Sequence, residues 1–466
     1  MRRAVALCLA YGLAVACWAF VARAVVPRVI TAAYVGRSWA ILNRILEGKS
    51  RPLGHYLDLW SSFSVAVALG VIVHLVLVFL IVDRPGTLGL KARLSLVIFA
   101  GGFLALTILS GSRHDYVAFL EIWAAVRRGG DPWSITPKFG YSLNAYGPLF
   151  SALAPLAWIN PLAPKLLFAT AYLVHMITFV SSRNASRRAA GWLLGPFMWV
   201  EVAYFGHFDV LVALSCVAAV RARLRDRDGG AGIALGMGVL LKYVPLALLP
   251  VLSASGGRVR WRLAASAGAT VAVGMVVSLI TWGPSVFGPL GFATSRGSSL
   301  ASIFRFLRGA YSPLRLFIDA PNLDRYSPPI LALGVVAVFC VCRRLRAAPD
   351  TAVVATILTT LLLYQVGFLQ YQILVFLLLI DWLDRNQAML SRRPFLKAAV
   401  DLYCGWLTVF NVVYAFVGGV LHPGDPLDWL DEVSGLVSFA LGLVLLLLVL
   451  NVARDGPAID SAGIGR

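Results

Sequence analysis

In the stretch GSRHDYVAF, Asp115 stands where a long apolar run gives way to polar residues. A carboxylate there could take the proton from a substrate hydroxyl. It could equally cap the amphipathic helix that follows, and the residue types leave both readings open. His114 adjoins it. Downstream, DPWSITPKFGYSLNAYGPLF contributes Tyr146, and GHFDVL puts His207 and Asp209 at the head of an apolar run. Ionisable groups at membrane depth are costly and so point to function, although a histidine and an aspartate there could also be a structural hydrogen-bonded pair. Lys242, in LLKYVPL, has no acidic neighbour in sequence; it faces a cavity holding an anion, or it snorkels to an interface. Arg296, Arg305 and Arg308, in TSRGSSLASIFRFLRGAY, could grip phosphate oxygens with their planar forks or touch lipid headgroups. Gln370, Tyr371 and Gln372, in LLLYQVGFLQYQILVF, could bind ligand hydroxyls or form a merely polar helix end.

The elements that must carry these residues are transmembrane helices. The chain has 466 residues, of which 59% are hydrophobic and 14% charged, against about 25% charged in soluble domains. Runs long enough to span a bilayer recur throughout, such as 64–82, 398–417 and 433–452. The expected fold is therefore all-α and polytopic, a single integral-membrane domain over 1–466. A formal charge of +19 does not indicate nucleic acid, because the positive residues sit in short clusters between apolar runs, where anionic lipids are the natural partners. The six cysteines lie in or beside apolar runs without metal or disulfide spacing, and no metal or other cofactor is expected. The start, MRRAVALCLAYGLAVACWAF, has an apolar stretch longer than a signal-peptide core and is read as a retained span.

Orientation follows from the arginines. With the N-terminus in the cytoplasm, the turns DRPGTLGLKAR, SSRNASRR, RARLRDRD, GGRVRWR and CRRLR all fall on the cytoplasmic side, which collects more than half of the 41 Lys and Arg residues. Two segments must then not cross. YGPLFSALAPLAWINPL is short and broken by prolines, and 231–252 must enter, bend near Tyr243–Pro245 and return as a hairpin. Roughly 12 crossings remain, plus these partial ones. The chain then divides into N-terminal spans (1–110), an outer loop bearing Asp115 (111–163), central spans (164–282), a second outer loop (283–328) and C-terminal spans (329–466). A further outer segment covers 23–61. In the middle loop Tyr116, Phe119, Leu120, Trp123 and Val126 share one side of a helix stopped by Gly129–Gly130, which would lie in the interface plane.

Taken in order, these stretches resemble the GT-C superfamily of integral-membrane glycosyltransferases, and most of all the polyprenol-phosphate-mannose-dependent mannosyltransferases. The likeness runs from about Gly111 to Leu252: SRHDYVAF, an amphipathic helix ending RRGGDPW, NAYGPLF, GHFDVL and GxALGxxxLLKYVPLALLP, with weaker stretches toward residue 380. Three departures stand out: Gly206–His207 replaces a frequent Gly–Gln, Tyr146–Gly147–Pro148 replaces a tyrosine–proline pair, and three spans precede the catalytic loop where one is usual. The resemblance implies a hexose, mannose in the first instance, moved from a polyprenyl-phosphate donor to a lipid or glycan hydroxyl. Asp115 would be the base, Lys242, Arg296, Arg305 and Arg308 would hold the donor phosphate, and His114, Tyr146, His207, Asp209, Gln370, Tyr371 and Gln372 would contact substrate. The enzyme would be a monomer in a bacterial plasma membrane, with its site on the outer face. A flippase for a lipid-linked anion, and a glycan ligase using a diphosphate-linked donor, are the competing readings.

Overall fold

The computed structural model describes residues 90–112, 115–134, 144–182, 186–254, 259–295, 297–309, 312–313, 320–417 and 428–454, with a few isolated positions before residue 90. The expected spans before residue 83, the segment 23–61, His114, Arg296 and most of the acidic loop LHPGDPLDWLDE lie outside the described residues.

The principal helices, in chain order, are α1 (Leu90–Leu109), α2 (Asp115–Arg127), α3 (Ala163–Val180), α4 (Asp209–Leu224), α5 (Asp228–Leu241), α6 (Leu249–Ala254), α7 (Trp261–Trp282), α8 (Ile303–Arg308), α9 (Ser327–Arg344), α10 (Pro349–Leu363), α11 (Leu369–Arg385), α12 (Pro394–Val417) and α13 (Asp428–Arg454). The one sheet among the described residues is a parallel bridge of β1 (Ser299–Leu300) and β2 (Val366–Gly367), with Ser299 opposite Val366. The all-α expectation therefore holds. Among the described residues, four helices are long and apolar enough to cross a membrane, at Ala163–Val180, Trp261–Gly291, Leu323–Arg344 and Glu432–Arg454. Large side chains such as Ile280, Leu333 and Val273 are exposed on them, as suits a lipid-facing surface.

The described residues form two compact units. In the first, α1, α3 and a π-helical turn at Trp199–Tyr204 share an aromatic core, with Trp199 edge-on to Phe99 and Phe103 at 5.2 and 5.3 Å. Several of its buried polar groups are matched, although Trp199 Nε1 and Asn411 Oδ1 have no hydrogen-bond partner among the described residues. Glu201 accepts a hydrogen bond from Asn411, and the Tyr172 hydroxyl donates to the Leu193 carbonyl. Lys165 is completely buried, and its ammonium donates to Ser110 Oγ, Gly111 O and Tyr204 O at 2.7–2.8 Å. Gly206 lies over the lysine stem with φ +76°, and a Cβ there would come within 3.0 Å of the Lys165 methylenes. The glycine is needed on both counts, backbone conformation and space.

In the second unit α4, α5 and α7 pack side by side, and α4 also packs on α11. The segment 231–252 is not one continuous helix. α5 rises roughly 20 Å at 1.5 Å per residue and breaks at Lys242, whose backbone is extended at φ −158° and ψ 135°. Pro245 lacks the N–H that continuation would need and disfavours helix at the preceding residue. A 3₁₀ turn (Val244–Leu248) and α6 then lead back. The return is fixed where it ends: Arg223 Nε donates to Leu252 O, Arg260 N donates to Ser253 O, and the Arg260 side chain pairs with Asp226 and Asp228, the latter at the start of α5. YGPLFSALAPLAWINPL likewise forms two short helices, Pro148–Ser151 and Ala154–Ile159, rather than a span.

Candidate active site

α2 begins at Asp115 and ends at Arg127, before Gly129 at φ +72°. Its buried face is Tyr116, Phe119, Ile122, Trp123 and Ala125, so Ile122 and Ala125 are inside while Leu120 and Val126 are only partly covered. Phe119, one turn beyond Asp115, meets Tyr146, Phe150 and Phe208 in edge-to-face contacts at 5.1–5.6 Å. Phe208 adjoins His207. This ring cluster draws two distant stretches of chain together, and His207 Nε2 consequently lies 4.0 Å from Asp115 Oδ2. Asp115 is half exposed while His207 is nearly buried, so the carboxylate can meet an incoming group from one side and the imidazole from the other.

Tyr146 is held by its backbone. Its N–H donates to Asn144 Oδ1, its carbonyl accepts from Trp133 Nε1, and Asn144 Nδ2 donates to Pro132 O, each at 3.0 Å. The next residue explains the departure from a tyrosine–proline pair. Gly147 N donates to Leu241 O at 2.9 Å, and a Cβ at Gly147 would overlap the Leu240 carbonyl. The tyrosine segment thus docks directly on the end of α5, where only glycine fits.

At that end Lys242 is 4% exposed and its ammonium pairs with Asp209 Oδ1 in the first turn of α4. A buried ammonium is costly unless its charge or its donors are matched, and here a counter-ion comes from another helix. The ammonium also lies 3.7 Å from the centre of the Tyr371 ring, with the Phe208 and Tyr146 rings at 5.6 and 5.9 Å. Asp209 Oδ2 is buried without a hydrogen-bond partner among the described residues. Lys242, expected to face an anion, is therefore already neutralised by a carboxylate.

α11 separates its three polar residues. Tyr371 faces Lys242, whereas Gln372 turns to α12 and accepts from the Tyr403 hydroxyl at 3.2 Å; Gln370 is also buried. The strand pair joins α11 to the arginines, since β1 precedes α8 and β2 precedes α11. On α8, Arg305 lies 3.5 Å from Glu432, and Arg308 Nη1 is 2.6 Å from Asp324 Oδ2, which also accepts from Ser298 N. Asp115 thus pairs with His207, while Asp209, Tyr146 and Tyr371 gather around Lys242, and the Phe119 ring next to Tyr146 and Phe208 lies one turn from Asp115. Asp324 and Glu432, the partners of those arginines, were not apparent from the sequence, because neither has a basic residue in helical register beside it.

The model of glycosyltransferase family 87, a family of GT-C-type membrane glycosyltransferases, matches residues 144–370. The match takes in Tyr146, His207, Asp209, Lys242, the three arginines and Gln370, and begins after Asp115. No curated protein and no solved structure matches the chain.

Proposed function

Because the chain is a membrane glycosyltransferase of GT-C type, we propose that it moves a hexose, in the first instance mannose, from a polyprenyl-phosphate donor to a lipid or glycan hydroxyl. Asp115 accepts the proton of that hydroxyl, and His207 orients the carboxylate and stabilises the charge that changes there. The hydroxyl oxygen attacks the anomeric carbon opposite the phosphate, the bond from that carbon to the phosphate oxygen breaks, and the configuration inverts. Phosphate leaves without needing a proton, so one carboxylate suffices. Arg305 and Arg308 hold the departing phosphate, together with Arg296. Arg305 and Arg308 lie 3.5 and 2.6 Å from Glu432 and Asp324, and Arg325 follows Asp324 in the chain.

The observation that carries this reading is the approach of His207 to a half-exposed Asp115. A flippase would have no use for a base that reaches solvent. The outer-face placement draws support from α4 and α11. They start at the Asp209–Lys242–Tyr371 cluster, and their far ends are joined by Arg221 to Asp381 at 2.7 Å, among Arg223, Arg225, Arg227 and Arg385. Arginine-rich ends favour the cytoplasm, which supports the proposal that the cluster faces the outer side of a bacterial plasma membrane. The test is transfer of labelled mannose from polyprenyl-phosphate mannose by the purified chain in detergent. Transfer from that donor is expected; consumption only of a diphosphate-linked donor would overturn the assignment.

A further inference from the structure

The Lys242–Asp209 pair differs from the arginine segment in ways that bear on what it recognises. Its two side chains are 5% and 4% exposed, whereas Arg305 and Arg308 are 18% and 31% exposed. Three aromatic rings, Tyr371, Phe208 and Tyr146, surround the ammonium within 6 Å. Asp209 is 3% exposed, yet Oδ2 has no hydrogen-bond partner among the described residues. A buried carboxylate oxygen left unmatched is destabilising and is the kind of exception that calls for an explanation.

From these observations we propose that Asp209, Lys242 and Tyr371 form the subsite for the transferred sugar ring. Asp209 Oδ2 accepts a hydrogen bond from one ring hydroxyl, and Lys242 donates to its neighbour. A vicinal diol, each hydroxyl of which both donates and accepts, complements an acceptor-only carboxylate beside a donor-only ammonium. The aromatic rings match the apolar C–H face of a pyranose. A second phosphate-binding function does not suit the pair, because the unmatched oxygen would face the anion. Position agrees with this assignment. The pair lies two residues from His207 in the chain, and the strand bridge connects Tyr371 to the arginines. Base, sugar and phosphate are then encountered in the order that displacement at the anomeric carbon requires. Lys242, anticipated as a phosphate ligand, becomes a sugar ligand.

This subsite rests on the transfer reaction proposed above, and the experiment separates the two. The full chain in detergent is supplied with polyprenyl-phosphate mannose and with its monodeoxy forms, each lacking one ring hydroxyl. If the wild type transfers none of these sugars, the reaction assignment itself fails. If it transfers them, one or two deoxy donors are expected to lose about tenfold or more in kcat/KM, as loss of a hydrogen bond to a charged group implies. In Asp209→Asn that discrimination disappears, because the parent donor falls to the level of the deoxy form. Should Asp209→Asn not fold, the charge-neutral pair Asp209→Asn with Lys242→Gln gives the same reading. Wild-type use of every deoxy donor within about twofold of the parent would overturn the subsite. So would unchanged discrimination in a folded variant.

Discussion

His207 Nε2 stands 4.0 Å from Asp115 Oδ2, and the contact is created by the rings that flank each residue: Phe119 one turn beyond the aspartate and Phe208 next to the histidine, 5.6 Å apart. The catalytic proposal turns on this pair. At 4.0 Å the groups are a slight rotation or one bridging water away from a hydrogen bond, as is common in sites without substrate.

Asp115→Asn should abolish proton acceptance while leaving the fold intact, since the side chain is half exposed. A fall of about 10²–10⁴-fold in kcat is expected, with an unchanged melting curve in detergent. Wild-type turnover in that variant would remove Asp115 from the mechanism.

His207→Gln should lower kcat less than the aspartate variant does. The two effects should also be coupled: once Asp115 is Asn, replacing His207 should cost little more, because residues acting as a unit are non-additive. Four-way kinetics of the wild type, both singles and the double variant measure this. Strictly additive losses would mean that the imidazole acts elsewhere.

Lys242→Met leaves the Asp209 carboxylate buried without its counter-ion. A destabilisation of about 3–5 kcal/mol is expected, and Lys242→Met combined with Asp209→Asn should recover a substantial part of it. Thermal unfolding of the detergent-solubilised variants checks this, and a double variant less stable than the single would contradict it.

Gly206→Ala should be destabilising by about 1–3 kcal/mol, since φ is +76° and the new methyl meets the Lys165 stem. Lys165→Met should be at least as severe, because it strands three oxygens that the buried ammonium now satisfies. Unfolding midpoints and yields of membrane-inserted protein measure both.

Asp115 was legible in the sequence because a carboxylate after an apolar run is conspicuous. The break at Lys242 was equally so, because Lys-Tyr-Val-Pro interrupts an apolar run with a proline. Both signals are local. Lys165 and Glu201 were missed although the same rule applies to them, since each is an isolated charge beside or within apolar sequence (APKLLF and WVEVAYF). In the structure both are deeply buried and hydrogen-bonded. A lysine near a proposed span end reads as an interface anchor, and only its burial distinguishes it.

By itself, then, the sequence determined the elements and the candidates: helices from apolar length, the break at Lys242 from the proline that follows it, and charged residues that apolar surroundings make costly. The tertiary structure decided which charges meet. Lys242 with Asp209, Arg308 with Asp324 and Arg305 with Glu432 join segments that share no local register. Their pairing depends on how α4 packs on α5 and how β1 pairs with β2, not on spacing along one helix. The physical reason is that a buried charge constrains only its need for a partner. Where the partner comes from is set by the packing of side chains that carry no charge, here Phe119, Tyr146, Phe208 and Tyr371.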